Sequence, residues 1–237
     1  MITKFKMFEN KNNFNKIIDY TFLKENAKID DIKRECDVAV ENGYYSIVVY
    51  PECVGTAVAF LDDADVKVCA VISFPKGNDK TNQKLKESMA AISDGAEELD
   101  VVFDYGLLNE MLTKKEDEYQ DLYQDLLYDT RSVVELAHKN GVVIKFIIEV
   151  DELDLNGVKI ATDICLEAGV DFIVTSTGFS KKGTFEKRLE AIKYIRRITP
   201  DYMKIKATGG IRSMEHINVL LPLVDRIGTS IIINNQE

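Results

Sequence analysis

The sequence has only two histidines, His138 and His216, and both fall in helical patterns far from any strand end. With no third histidine and no H-x-x-E-type spacing, no catalytic metal site is expected. Cysteine is equally sparse: Cys36, Cys53, Cys69 and Cys165 lack C-x-x-C spacing and read as reduced packing residues. No apolar run approaches the ~20 residues of a membrane span, and Met1 to Asn10 lack the continuous apolar stretch of a signal peptide, so a cytoplasmic location is expected. Basic charge is in deficit. With 30 Lys and Arg against 40 Asp and Glu, the formal net charge is -10, which argues against nucleic acid or a membrane as the main partner. Nothing resembles a linker, and 237 residues with 46% hydrophobic content suit one α/β barrel or two small domains.

What is present is alternation. Short β-rich runs at 17–20, 46–50, 66–74, 98–103, 142–150, 171–175, 203–207 and 226–230 are separated by amphipathic helical patterns, as in a parallel sheet with helical crossovers. Asp30-Asp31 and Asn78-Asp79 signal helix starts, and a long acidic helix begins near Asp117. Asn42-Gly43, Asp94-Gly95, Asn140-Gly141 and Ala168-Gly169 signal helix ends. About eight strands is the number that closes a barrel. The competing doubly wound open sheet often has a G-x-G-x-x-G turn after its first strand, whereas here that strand runs into Asp19-Tyr20-Thr21-Phe22-Leu23-Lys24. The favoured reading is a single (β/α)8 TIM barrel over residues 1–237. Lys114-Lys115-Glu116-Asp117-Glu118 reads as a solvated loop between the fourth strand and its helix.

Alternate residues of a barrel strand face the axis. If Met203 and Ile205 turn to the helices, Lys204 and Lys206 point inward. The same rule turns inward Lys145 and Glu149 on the fifth strand, and Glu98, Asp100, Val102 and Asp104 on the fourth. It also turns inward Asp19, Ser73, Val174 and Ser176. Charges in a barrel are costly unless paired. One reading is a purely structural ion-pair network. The other is a reactive site, because a lysine beside carboxylates at strand C-termini equips carbonyl chemistry with an amine and proton carriers. Two strand ends, 171–179 and 204–212, break into small, hydroxyl and glycine residues ahead of a helical pattern. Such a backbone suits an anion held at a helix N-terminus.

These residues carry a family resemblance. Ile18-Asp19-Tyr20-Thr21-Phe22-Leu23-Lys24, Phe74-Pro75-Lys76-Gly77, Gly95-Ala96-Glu97-Glu98-Leu99-Asp100-Val101-Val102 and Lys145-Phe146-Ile147-Ile148-Glu149 occur in order. They are followed by the segment 168–179, by Lys206-Ala207-Thr208-Gly209-Gly210-Ile211-Arg212 and by Arg226-Ile227-Gly228-Thr229-Ser230. Over nearly the whole chain the sequence resembles deoxyribose-phosphate aldolase, a lysine-dependent barrel enzyme of deoxyribonucleotide catabolism that joins acetaldehyde to glyceraldehyde 3-phosphate. The resemblance implies a phosphorylated sugar as ligand, no cofactor, and a homodimer as a possible assembly. It puts Asp100 and Lys206 on the family's proton-relay aspartate and second lysine, and Asp19 on its hydroxyl-contacting aspartate. Gly178, Gly209, Gly210, Arg212, Gly228 and Ser230 fall on its phosphate-binding strand ends.

Two positions depart from the family pattern. The family's Lys-Thr-Ser-Thr-Gly, whose lysine forms the Schiff base, reads Val174-Thr175-Ser176-Thr177-Gly178 here, and Ile231 stands where a second serine often follows. A valine has no nucleophile. Three readings follow. The chain is an aldolase that cleaves 2-deoxyribose 5-phosphate with Lys206 or Lys145 as the amine; or it is a catalytically impaired phosphosugar-binding homologue; or it is a scaffold that uses the outer face of its acidic helix at 117–140.

Overall fold

The computed structural model describes residues 14–232, so the signal-peptide reading of Met1 to Asn10 lies outside the described residues. The strands are β1 (Ile18–Thr21), β2 (Ser46–Val49), β3 (Lys67–Ile72), β4 (Glu98–Val102), β5 (Val143–Ile147), β6 (Phe172–Val174), β7 (Lys204–Ala207) and β8 (Arg226–Thr229). Each pairs in parallel with the next, and β1 pairs with β8 through Ile18 and Ile227, so the sheet closes into a (β/α)8 TIM barrel rather than an open sheet. The helices around it are α1 (Ile29–Glu41), α2 (Val54–Leu61), α3 (Thr81–Ser93), α4 (Tyr105–Met111), α5 (Glu116–Lys139), α6 (Leu155–Ala168), α7 (Phe185–Ile198) and α8 (Met214–Leu220). No helix among the described residues is long and apolar enough to cross a membrane.

The acidic helix α5 shows why these segments wind as they do. Glu116, Asp117 and Glu118 occupy its first turn and His138 and Lys139 its last, which complements the helix dipole at both ends. Leu126, Leu127, Thr130, Val133, Val134 and Ala137 form its buried stripe at helical spacing, and the remaining faces are charged. The glycines expected to end helices do so with positive φ, Gly169 after α6 at 83° for example, a conformation that costs glycine little.

Strand parity sorts the barrel as the alternation requires. Leu99, Val101, Ile144, Phe146, Ile173 and Ile205 pack outward into the main core with the helices, while Val102, Ile147 and Val174 form a separate inner cluster. All four cysteines are buried and free.

Parity weakens at the strand ends and just beyond some of them. Lys204 is exposed, its ammonium 5.1 Å from the centre of the Phe172 ring, because the first residue of β7 lies at the N-terminal rim of the barrel, opposite the cavity described below. Asp104 turns away to cap α4, accepting a hydrogen bond from the Leu107 N–H at 2.8 Å. Ser73 and Glu149 both have φ of 54° just past a strand end, so the chain has already left the pleat. Ser73 then donates to Asp79, and Glu149 reaches Thr177. The 114–118 charge run joins two helices, not a strand and a helix, since α4 intervenes; Lys114 pairs with Glu110 at 3.1 Å and Glu118 at 3.6 Å.

Candidate active site

A cavity of about 290 Å³ opens at the C-terminal ends of the strands, where barrel folds assemble their functional sites. Every strand contributes a residue: Thr21, Val48, Val71, Asp100, Ile147, Val174, Lys206 and Gly228.

Asp100 and Lys206 form its floor, the exposed edge of a closed circuit of alternating charge that continues beneath it. Lys206 Nζ lies 2.7 Å from Asp100 Oδ2 and 2.6 Å from Asp19 Oδ2. Arg226 Nη1 lies 2.6 Å from Asp19 Oδ1, and its Nη2 lies 3.2 Å from Glu98 Oε1. Lys145 Nζ completes the circuit, 2.8 Å from both Glu98 Oε2 and Asp100 Oδ1. Ser46 also donates to Asp19 Oδ1 at 2.8 Å, Lys145 meets Cys69 Sγ at 3.2 Å, and the Arg226 guanidinium stacks 3.1 Å from the Tyr45 ring centre. All six charged residues are buried. Desolvating them singly would cost several kcal/mol each, so the arrangement is tenable because every charge faces opposite partners.

The circuit fixes protonation. Burial alone would raise the carboxyls of Asp19 and Asp100, but Lys206 with Arg226 holds Asp19 well below the carboxylate range, and Lys145 with Lys206 lowers Asp100. Burial alone would free the amines of Lys206 and Lys145. The carboxylates reverse this, Asp100 and Asp19 at Lys206, and Asp100 with Glu98 at Lys145, so both lysines sit above their ordinary value. Lys206 is therefore an ammonium donor at the cavity surface. Lys145 does not line the cavity.

Val174 is fully buried, in register with Ile147 on one side and Lys206 on the other. It packs with Val102 and Ile147, and Phe74 and Tyr105 close over them. Across the cavity Val48 and Val71 form a second apolar wall with Cys69, against which Leu23, Tyr50 and Phe74 pack. The position next to the Lys206 ammonium is thus a hydrocarbon surface.

The remaining wall is backbone. The ends of β6 and β7 are stitched together: Thr208 N–H donates to Thr175 Oγ1 at 3.0 Å, and Ser176 N–H donates to Thr208 Oγ1 at 3.1 Å. Beyond the stitch Gly178, Gly209 and Gly210 turn the chain with φ of 83°, 90° and 67°. Gly228 gives the stitch room, since a Cβ there would lie 2.6 Å from Thr208 Cγ2. The backbone N–H groups of Gly178, Gly209, Gly210 and Ile211 donate to no other described residue. Gly178, Gly209, Gly210, Arg212, Gly228 and Ser230 all line the cavity, and three of them, Gly178, Gly209 and Gly210, carry N–H groups without a partner among the described residues.

The helix-start geometry expected from the sequence does not form here. α7 begins at Phe185 and α8 at Met214, beyond the lining residues, and their caps Thr184 and Ser213 already accept the N–H groups of Lys187 and His216. The turns intervene because Gly178 after β6, and Gly209 with Gly210 after β7, take up positive φ and lead the chain away from the strand before its helix begins. The unpaired N–H groups at these strand ends belong to turns, not to helix starts.

Asp100, Lys206 and Val174 meet at the floor as expected. Asp19 is fully buried and does not line the cavity; Lys206, Arg226 and Ser46 surround its carboxylate. Ile231 does not line the cavity either, and its N–H donates to Thr229 Oγ1. Sequence reasoning passed over Arg226 as a site residue, although its spacing of two from Gly228 on β8 carries the parity signal. Arg188, which donates to the Gly209 carbonyl at 3.0 Å, gave no signal, because it sits in an ordinary helical pattern. No group of three or more metal-ligating side chains gathers among the described residues.

The sequence matches the DeoC/LacD family aldolase over residues 13–221. The deoxyribose-phosphate aldolase of Caldicellulosiruptor saccharolyticus is 38% identical over 218 residues, 91% of this chain and 93% of that relative. Among solved structures, QR15, an aldolase, superposes with a TM-score of 0.81 at 34% identity, covering 92% of this chain and 91% of its own. The deoxyribose phosphate aldolase from Aeropyrum pernix, described as a unique tetramer, gives a TM-score of 0.81 at 26% identity, covering 97% of this chain and 92% of its own. Matches of this extent, on a barrel whose polar residues converge at one mouth, make the chain a member of the DeoC/LacD aldolase family, among the deoxyribose-phosphate aldolases.

Proposed function

We propose that this chain binds 2-deoxyribose 5-phosphate, the phosphate on the Gly178, Gly209, Gly210, Arg212, Gly228 and Ser230 wall and the sugar toward Lys206. We further propose that it lacks the family's imine step. Val174 is the observation that carries the second half. A valine at the position of the imine-forming lysine forms no covalent bond with an aldehyde. Lys206 is a poor substitute. At the ordinary lysine pKa of about 10.4, fewer than roughly one amine in a thousand is free at pH 7, and Asp100 and Asp19 lower that fraction. Cleavage to glyceraldehyde 3-phosphate and acetaldehyde is accordingly far below an ordinary enzyme's rate.

Within this reading Lys206 donates to a sugar oxygen, Asp100 and Asp19 hold its ammonium in place, and Arg212 with the turn amides takes the phosphate charge. The whole chain acts as one barrel domain, in the cytoplasm, within deoxyribonucleotide catabolism. A homodimer is its proposed assembly, which light scattering would separate from a tetramer like that described for the Aeropyrum pernix protein.

Calorimetry with 2-deoxyribose 5-phosphate, followed by borohydride reduction, tests the reading. Binding without a reduced covalent adduct is expected. An adduct on Lys206 or Lys145 would restore the aldolase reading, and no binding at millimolar concentration would remove the phosphosugar reading and leave the scaffold reading on the α5 face.

A further inference from the structure

The loop after β5 lines no part of the cavity, yet it ties down both turns whose lining glycines carry unpaired N–H groups. Glu149 Oε2 accepts from the Thr177 N–H at 3.1 Å and from the Thr177 hydroxyl, and Thr177 Oγ1 accepts from the Phe179 N–H at 3.1 Å. Gly178 is thereby bracketed. Two residues further along the loop, Asp151 Oδ2 accepts from Arg188 Nε at 2.9 Å and from Nη2 at 2.6 Å. The third nitrogen of that guanidinium, Nη1, donates to the Gly209 carbonyl at 3.0 Å. Arg188 and Asp151 are both buried, at 7% and 1% exposure, so water does not compete for these bonds.

The fit is tight. A Cβ at Gly209 would lie 2.9 Å from Arg188 Nε, one at Gly210 would lie 3.0 Å from Nη1, and one at Gly183 would overlap both Arg188 and Asp151. In a planar trans peptide the C=O and the following N–H point in opposite directions. Holding the Gly209 carbonyl toward Arg188 therefore turns the Gly210 N–H the other way. That N–H donates to no other described residue, and Gly210 lines the cavity.

We propose that Arg188, clamped by Asp151, is a positioning residue for the phosphate: it orients the Gly209–Gly210 peptide so that its N–H faces the bound anion. The effect is orientation more than charge, because Asp151 neutralises the guanidinium. It rests on the phosphate reading of the cavity. A lysine at this position keeps the charge but cannot bond Asp151 in a fork while also reaching Gly209.

The test is titration calorimetry with inorganic phosphate on the unmodified chain, Arg188→Lys and Arg188→Met, together with amide hydrogen exchange of the unliganded proteins. Both variants are expected to bind phosphate about tenfold or more weakly, with faster exchange confined to 208–211 and unchanged exchange in β4 and β5. A folded Arg188→Lys variant whose phosphate affinity and Gly210 exchange match the unmodified chain overturns the inference and leaves the phosphate reading intact. No phosphate binding by the unmodified chain overturns both. Exchange that rises uniformly across the barrel assigns Arg188 a merely structural role and also overturns the inference. Should Arg188→Met fail to fold, Asp151→Asn, which weakens the clamp at nearly constant volume, carries the same expectation.

Discussion

Six charged side chains at and beneath the cavity floor neutralise one another in a closed circuit, whereas the wall around Gly178, Gly209 and Gly210 keeps backbone N–H groups without partners among the described residues. The floor has already satisfied its electrostatics internally, so it holds protons tightly and offers a ligand little beyond the Lys206 ammonium. The wall has unspent donors, which is what an anion needs. In an imine-forming aldolase the floor must supply a free amine. Here the position beside Lys206 is hydrocarbon, and on the proposed reading the two halves of the site divide into one that binds phosphate and one that lacks the imine-forming amine.

Restoring reactivity to the floor gives the largest expected effect. Val174→Lys puts a second amine in register with Lys206, in an apolar surround and beside a like charge, and both influences lower its pKa. Cleavage of 2-deoxyribose 5-phosphate is expected to rise by about a thousandfold or more, roughly 4 kcal/mol of barrier, with a borohydride-trapped adduct on the new residue. An unmodified chain that already turns over at about 1 per second, ordinary for an enzyme, would show that the floor is reactive and dissolve the contrast.

Opening the circuit comes next. Lys206→Met leaves the facing carboxylates of Asp19 and Asp100 without their shared ammonium, for an expected loss of about 3–5 kcal/mol in urea unfolding. Acid unfolding checks the same point. Because the folded values of Asp19 and Asp100 are depressed, their contribution is complete above the unfolded aspartate value of about 3.9 and is lost as pH falls below it through the folded values. The raised Lys206 and Lys145 contribute fully below the unfolded lysine value of about 10.4 and lose that contribution as pH rises through their folded values. In Lys206→Met the acid limb should begin at higher pH; an unmoved limb would mean that the floor is not a coupled circuit.

The wall should respond to backbone changes. Gly209→Ala forces a side chain onto φ of 90° and against Arg188, at an expected cost of about 1–2 kcal/mol to the turn, with phosphate affinity down about tenfold by calorimetry. Ile231→Ser should matter least, since Ile231 does not line the cavity; a tightening of phosphate binding beyond about threefold would give its hydroxyl a role in the wall.

The two-residue repeat of β-strands is local, and it was enough to place Asp100, Lys145, Lys206 and Val174 inside a barrel. The same repeat on β8 implied Arg226, which only the closed circuit makes conspicuous. Glycine and threonine at the ends of β6 and β7 likewise announced a backbone-lined site. Parity lost its meaning two residues past β4 and β5, where Asp104 became a helix cap and Glu149 a strap, because a turn resets side-chain direction without leaving a periodic trace; past β6 it held, and Ser176 lines the cavity. Which carboxylate meets which amine, and that Arg188 reaches under Gly209 from the middle of a helix, was decided by tertiary structure. Those contacts join residues far apart in the chain, and the energy of a charge or a hydrogen bond depends on the distances that closing the barrel sets.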